Sequence, residues 1–389
     1  MLSRNIRFKN FLNKSKKKKL FKIFNDLKNN YLSKNTRFLS SLSQGYKYNY
    51  NKKIINKYKK FQNFRVIGMG GSILGSKAIY QFLKHKIKKN FFFVDNLQPK
   101  LDYKKKFSFV NLIISKSGNT LETILNSNIF INKKKNIFIV ENNNNYLNIL
   151  ANQLKADVVE HKNYIGGRYS VLSEVGMLPA ELMDLEEKKF KRLNYLINNK
   201  KFINNLIQNV ASTLSLIKNN KNLSVILNYD QRSDNLLKWY QQLIAESLGK
   251  KSKGILPVVT VMPQDNHSLM QFFLDGSKKS FYTFFSVLEK NSNKLNNKYL
   301  LKSHFYLKNK NLSEIINAQM LATQNVFMRK KIPFRSFEIL QRNEQSLGEI
   351  FCFFILETIL LGRALKVNPF DQPSVELVKR ETKKILLNN

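Results

Sequence analysis

Residues Phe64–Gly75 read FRVIGMGGSILG: an apolar run rich in β-formers, a turn holding Gly68, Gly70 and Gly71, then the opening of a helical pattern. A strand that passes into a helix through glycines is the repeating unit of a parallel sheet covered by helices. Outward from it, FFFVD (Phe91–Asp95), SFVNLIIS (Ser108–Ser115), NIFIVE (Asn136–Glu141) and ADVVEH (Ala156–His161) are further short strands. Helix-length stretches at Ser72–His85 and Thr120–Asn132 lie between them. The alternation restarts after the polar stretch Asn198–Asn222. LSVILNY (Leu223–Tyr229), a helix over Asp234–Leu248, ILPVVTVM (Ile255–Met262), FYTFFSVLE (Phe281–Glu289), helical spacing at Leu312–Phe327 and FRSFEIL (Phe334–Leu340) follow in order. Near the end, Leu347, Phe351, Phe354 and Ile355 mark the apolar face of a helix, which Pro369 and Pro373 break before a last short helix from Ser374. The expected fold class is α/β: two α/β/α sandwich domains with mostly parallel sheets, over residues 61–198 and 199–340. A basic helical segment at 1–60, packed on the first domain, precedes them, and a helical tail at 341–389 follows.

Of the 389 residues, 43% are hydrophobic, enough for the cores of two or three domains and too many for a disordered chain. Lys and Arg number 67 against 26 Asp and Glu, a net charge of +41 that ordinarily points to nucleic acid or an anionic membrane surface. The kind of base argues otherwise, since 55 are Lys and only 12 are Arg. Lys, Asn, Ile, Phe and Tyr are residues of A/T-rich codons, so a nucleotide bias accounts for such a surface. Arg, the reader of phosphate forks and guanine edges, is not enriched. Nucleic acid is therefore not expected as a partner, whereas small anionic substrates are attracted in either case. The single cysteine, Cys352, excludes an intramolecular disulfide and a Cys-based zinc site, and in the apolar run Phe351–Leu356 it reads as a buried, inert thiol. No apolar run reaches the ~18 residues of a membrane helix. The N-terminal MLSRNIRFKNFLNKSKKKKL lacks the apolar core of a secretory signal and reads as a solvated arm, with a transit peptide as the alternative. A cytoplasmic location is the simplest expectation.

Three turns could carry chemistry. The glycines of Gly68–Gly75 let backbone N–H groups approach a ligand at a helix N-terminus, or serve only close packing. G-x-G-x-x-G is not satisfied, because Ile73 fills the third place, and no G-x-x-x-x-G-K-[ST] occurs, so neither a nicotinamide nor an ATP site is supported. SKSGNTLET (Ser115–Thr123) places Ser115, Ser117, Asn119 and Thr120 around Lys116 where another strand meets a helix. That is the composition of a phosphate-monoester cradle, although an ordinary N-cap needs one or two of the same residues. GGRYS (Gly166–Ser170) holds one of the few arginines, Arg168, which could stabilise developing negative charge or pin a loop. On the helix QQLIAESLGK, Glu246 follows Gln242 by one turn and shares its face, while Lys250 one turn further offers the commonest helix surface pair. His267 in DNHSLMQ stands at a loop-to-helix start, as a functional group or a cap. His85, His161 and His304 have no organised company, and no residues stand at metal-ligand spacing.

Taken together, GMGGSILG, SKSGNTLET, GGRYSVLSEVGMLP (Gly166–Pro179), QQLIAESLGK, HSLMQFFLDG (His267–Gly276) and NPFDQPSVELVK (Asn368–Lys379) resemble, in order, the blocks of the bacterial-type glucose-6-phosphate isomerases. One block alone would be a generic sugar-isomerase signal; the set is specific. The resemblance implies two sugar-isomerase (SIS) α/β/α domains, interconversion of glucose 6-phosphate and fructose 6-phosphate, no cofactor, no metal and a homodimer. It implies that Ser115, Lys116, Ser117 and Thr120 hold the sugar's phosphate with Gly71 and Ser72 beside it. Glu246 would be the base moving a proton between C2 and C1, Gln242 and Gln372 would position the substrate, and Arg168 would neutralise the enediolate. His267, contributed across the dimer interface, and Lys379 would open the ring. The chain is short for this family, which points to trimmed peripheral elements. Ser374 and Val378 stand where the family usually has glycine, which bears on how Lys379 is presented. Two rivals remain at this point: a related isomerase that also accepts mannose 6-phosphate, and a non-catalytic sugar-phosphate-binding SIS protein, which would need only the cradle.

Overall fold

A computed structural model describes residues 1–13, 17–33, 37–100, 108–131, 134–289 and 291–388. Residues 14–16 of the basic arm and Asn132, the expected end of the helix after Thr120, lie outside these. In chain order the elements are β1 (Ile6–Lys9), α1 (Lys18–Leu32), α2 (Lys52–Tyr58), β2 (Asn63–Gly68), α3 (Leu74–Phe82), β3 (Asn90–Val94), β4 (Val110–Ile114), α4 (Leu121–Phe130), β5 (Asn136–Val140), α5 (Tyr146–Gln153), β6 (Asp157–Glu160), α6 (Glu174–Leu182), α7 (Leu193–Leu196) and α8 (Lys200–Lys218). Then come β7 (Leu223–Asn228), α9 (Asp234–Leu248), β8 (Leu256–Val261), α10 (Met270–Asp275), β9 (Ser280–Val287), α11 (Leu312–Arg329), β10 (Phe334–Ile339), α12 (Glu344–Leu365) and α13 (Val375–Asn388).

The first sheet has the order β3-β2-β4-β5-β6 and is parallel throughout. The second has the order β1-β10-β9-β7-β8, in which only β1 runs antiparallel. The fold class is the one expected. β4 and β5 are buried along their whole length, the pattern of strands covered on both faces. Register explains how the turns meet: Gly68 at the end of β2 is paired with Ile114 at the end of β4, so the glycine turn and the Ser115–Thr120 turn emerge side by side.

Where the structure departs from the sequence expectation is the N-terminal segment. It is not wholly helical, because Ile6–Lys9 adds a strand to the second sheet beside β10, with Ile6 and Phe8 turned inward. Nor does α1 pack on the first sheet. Its buried stripe Leu20, Phe24 and Leu27 lies against α8 and α12. The cause is α12, an apolar helix buried from Ser346 to Gly362, which needs cover on every side.

Helix α9, which carries Glu246, is anchored at its middle. The Tyr240 hydroxyl donates to Glu357 of α12 at 2.9 Å and accepts from Arg335 of β10 at 2.9 Å, while Arg335 also pairs with Glu357 and donates to Asn209 of α8 at 2.8 Å. Arg335 and Glu357 are each 1% exposed, so removing either partner would strand a buried charge, and the four elements are held in one relative position. Cys352 on α12 is fully buried, and burial pushes its thiol up to about 12, which makes it inert as expected. No helix among the described residues is long and apolar enough to cross a membrane.

Candidate active site

The turn after β2 is shaped by what it must approach. Gly70 adopts φ +51°, a region that favours glycine, and a Cβ there would stand 2.7 Å from the Gln242 amide nitrogen of α9. A Cβ on Gly71 would overlap the backbone of Gly167 and the amide of Arg168. The absence of side chains therefore lets three segments meet: the β2–α3 turn, the Gly167–Leu172 turn and the C-terminal half of α9.

Arg168 is the hub of this meeting. It is 3% exposed, and every guanidinium nitrogen is engaged. Nε donates to Ser247 Oγ at 2.7 Å. Nη1 donates to Glu246 Oε1 at 2.8 Å and to Gln372 Oε1 at 2.9 Å. Nη2 donates to the carbonyls of Pro369 at 2.8 Å and Asp371 at 3.0 Å. The second oxygen of Glu246 accepts from Gln242 Nε2 at 2.9 Å. Glu246, with a side chain 24% exposed, keeps solvent access although its charge is paired. One edge of Arg168 thus faces the Glu246 carboxylate and the other pins the Pro369–Gln372 strap. Lys250 does not pair with Glu246. It bonds Asp371 at 2.6 Å, and that bond holds the Asp371 carboxyl below its ordinary value.

On the neighbouring strand end, Ser115 is buried and its Oγ lies 3.1 Å from Thr120 Oγ1. Thr120 is the N-cap of α4 but makes no capping bond with its side chain, so the first amides of this helix are left available to an anion. Lys116 donates to the Asn163 carbonyl at 2.7 Å and stands 3.6 Å from Glu141. The arrangement offers hydroxyls, open amides and an ammonium beside one another.

The structure therefore gathers Arg168, Gln242, Glu246 and Gln372 in direct contact, with Gly71 and Ser72 on the adjoining turn and Ser115, Lys116, Ser117 and Thr120 on the next. It does not bring in the other two candidates. His267 is exposed on the loop after β8, and Lys379 sits on α13, which has no buried residue, paired with Glu376 at 2.6 Å. Two functional neighbours escaped the sequence reading. Ser247 accepts from Arg168, and Tyr169, whose hydroxyl is 2.9 Å from Ser247 Oγ, donates to the Pro369 carbonyl at 2.9 Å. Burial pushes the Tyr169 phenol up to about 12, so it remains a donor. Both stand next to a residue that was singled out, which is the only signal they gave.

A family model described as phosphoglucose isomerase matches residues 28–389. A probable glucose-6-phosphate isomerase of Methanococcus maripaludis is 32% identical over 361 residues, covering 84% of this chain and 79% of that protein. A glucose-6-phosphate isomerase of Mycoplasmopsis pulmonis is 31% identical over 412 aligned positions, covering 90% and 93%. Among solved structures, a hypothetical protein of Thermus thermophilus superimposes with a TM-score of 0.79 at 21% identity, over 95% of each chain. A glucose-6-phosphate isomerase of Chlamydia trachomatis does so with a TM-score of 0.70 at 19% identity, over 86% of this chain and 71% of that one. These two share the fold. On the extent of the family match and the identity to its relatives, the chain belongs to the phosphoglucose isomerase family.

Proposed function

We propose that the chain interconverts glucose 6-phosphate and fructose 6-phosphate by ring opening and proton transfer through a cis-enediolate, as the names of its relatives suggest. The observation that carries this reading is the Arg168–Glu246 contact at 2.8 Å beside the glycine turn. Aldose–ketose exchange needs one base able to serve C2 and C1 in turn, and Glu246 has a free path to solvent and a carboxylate oriented by Gln242. It takes the proton from C2 as the electrons of that bond form the C1=C2 double bond of the enediolate and charge moves onto O1. The protonated Glu246, open to exchange with water, then delivers a proton to C1 while the O2 hydroxyl proton passes to O1 and C2 becomes the carbonyl. A positioned base of this kind contributes about 10²–10⁴-fold. Arg168 supplies the fixed charge for the developing oxyanion; because Ser247, Pro369 and Asp371 already hold it, it need not reorganise as charge appears. The enediol route calls on no redox cofactor or metal.

Ser115, Lys116, Ser117 and Thr120, with Gly71 and Ser72, are the proposed phosphate cradle, which uses remote binding energy to orient the reacting end. His267 and Lys379 are proposed for ring opening. His267 is exposed on its own chain, as a residue donated to a partner subunit would be, and the proposed working unit is a homodimer. A cytoplasmic location follows from this metabolic role, and neither a membrane nor nucleic acid has a part in it. The test is a coupled assay of the purified chain on fructose 6-phosphate with chelator present: turnover is expected, and its absence in folded, dimeric protein overturns the proposal.

A further inference from the structure

The two sheets repeat one plan, β3-β2-β4-β5 and β8-β7-β9-β10, each parallel and each with its first strand in the middle. The repeat extends to side chains. One residue offset relates the 3-10 turn Gly70–Ser72 to Gln231–Ser233. It also relates Gln81, whose amide donates to the Gln231 carbonyl at 2.8 Å, to Gln242, which lies against Gly70. α3 and α9 pack on one another, and each sends side chains to the turn of the other's unit. The same offset takes Glu246 to His85. The carboxyl ends of β7 and β9 thus form the counterpart of the candidate active site, at the second place in the molecule where strand order reverses. A cavity of about 520 Å³ opens there, bounded by Asp230, Arg232, Ser286, Glu289, Asn317 and Arg342, a size suited to a small ligand.

Its polar groups are incompletely used. Arg342 has a side chain 7% exposed. Its terminal nitrogens grip Asp230 at 3.1 and 2.7 Å, but its buried Nε has no hydrogen-bond partner. Glu289 forms loose ion pairs with both arginines, 3.6 Å from that Nε and 3.7 Å from Arg232 Nη1, beyond hydrogen-bond range of either, with 39% of its side chain exposed. Arg342 lies over the Phe82 ring at the end of α3, and His85, just beyond, is close enough to Arg342, Arg232 and Glu289 to feel all three charges. The cavity is also lined by the N-terminus of α11, which is closed by the Asn311–Glu314 capping box. An acceptor group is therefore wanted at the arginine end, and the Glu314 end turns a second negative charge away.

We infer that this crevice binds a small hydroxylated anion, of the sugar-acid or sugar-phosphate class, with its acid group on Arg232 and the Nε of Arg342 in place of Glu289 and its hydroxyls toward Ser286 and Asn317. This second site is independent of the isomerase reading, because it uses none of the same residues. Calorimetric titration of the full-length chain with inorganic phosphate and, separately, with gluconate tests it. A chain carrying Lys116→Ala and Thr120→Ala, weakened in the first cradle, should keep a site for at least one probe. That site should weaken at least tenfold on adding Arg232→Ala, a half-exposed position, with the thermal midpoint retained. Glu289→Gln, which removes the competing carboxylate, should tighten it. Retention of phosphate alone identifies a phosphorylated ligand and of gluconate alone a carboxylate. Binding of neither probe in the cradle-weakened chain overturns the inference, as does binding indifferent to Arg232→Ala or unimproved by Glu289→Gln. A failed isomerase assay leaves this test intact, since it reads binding and not turnover.

Discussion

The two sheet edges share strand order and helix placement yet are finished differently. After β2 the chain runs Gly68-Met69-Gly70-Gly71-Ser72, and the bare backbone lets Arg168, Gln242 and Glu246 close in. After β7 it runs Asn228-Tyr229-Asp230-Gln231-Arg232, and the equivalent space stays open, framed by the Asp230–Arg342 pair. One scaffold repeats the same strand order at both edges, and under the inference above each is a position for a ligand. In the proposed function, a few glycines, one arginine and one carboxylate decide which of them carries the reaction.

If that contrast is right, changes at the first edge should be costly in a graded way. Glu246→Gln should lower kcat by about 10²–10⁴-fold with KM little changed; steady-state kinetics with near-native kcat would remove Glu246 from the role of base. Gly71→Ala should push the turn off the Gly167 backbone, and a displacement of that kind costs about 100-fold in kcat/KM. An alanine chain as active as the native one would mean the close approach is not needed. Lys116→Ala and Thr120→Ala should each raise KM by roughly ten- to a hundredfold, the worth of a hydrogen bond to a charged group, and leave kcat nearly alone. An unchanged KM would put the phosphate elsewhere. Mixing Glu246→Gln with His267→Ala chains should restore part of the activity in heterodimers, since one of their two sites is then intact; no recovery counts against a shared site.

Two smaller effects concern buried groups beside and away from that edge. His161 follows β6, and burial lowers its imidazole to about 4. The unfolded chain takes up a proton near pH 6.5 that the folded chain refuses until about pH 4. Stability should therefore fall across that window, by up to about 3 kcal/mol from this group. Urea midpoints at pH 7.5 and 4.5 should draw together in His161→Phe relative to the native chain. Cys352, buried within α12 and raised to about 12 by burial, should resist iodoacetamide at pH 8 with no loss of turnover. Rapid labelling of the folded chain would contradict its burial.

Much of this was legible in the sequence. Strands such as FRVIG and FYTFFSVLE declare themselves by apolar runs between turns, and α9 was placed at Asp234–Leu248, where it is found. What stayed hidden was non-local. The four residues of β1 are too few for a pattern, and their partner β10 lies more than 320 residues away. Whether Glu246 paired with Lys250 or with Arg168 could not be read along the helix, because Arg168 arrives from a different unit of the fold. Ser247 is a small residue on a buried helix face with no local signature. The roles of His267, a loop-to-helix histidine in the sequence, and of Lys379 rest on resemblance alone, and on a single chain they lie on an exposed loop and an exposed helix.

The hydrogen itself gives the most direct test. In heavy water, NMR of fructose 6-phosphate should show the native chain washing deuterium into C1, while Glu246→Gln chain that still binds the sugar does so at least about 100-fold more slowly. Exchange at a near-native rate in the Glu246→Gln chain would contradict a single carboxylate carrying the proton.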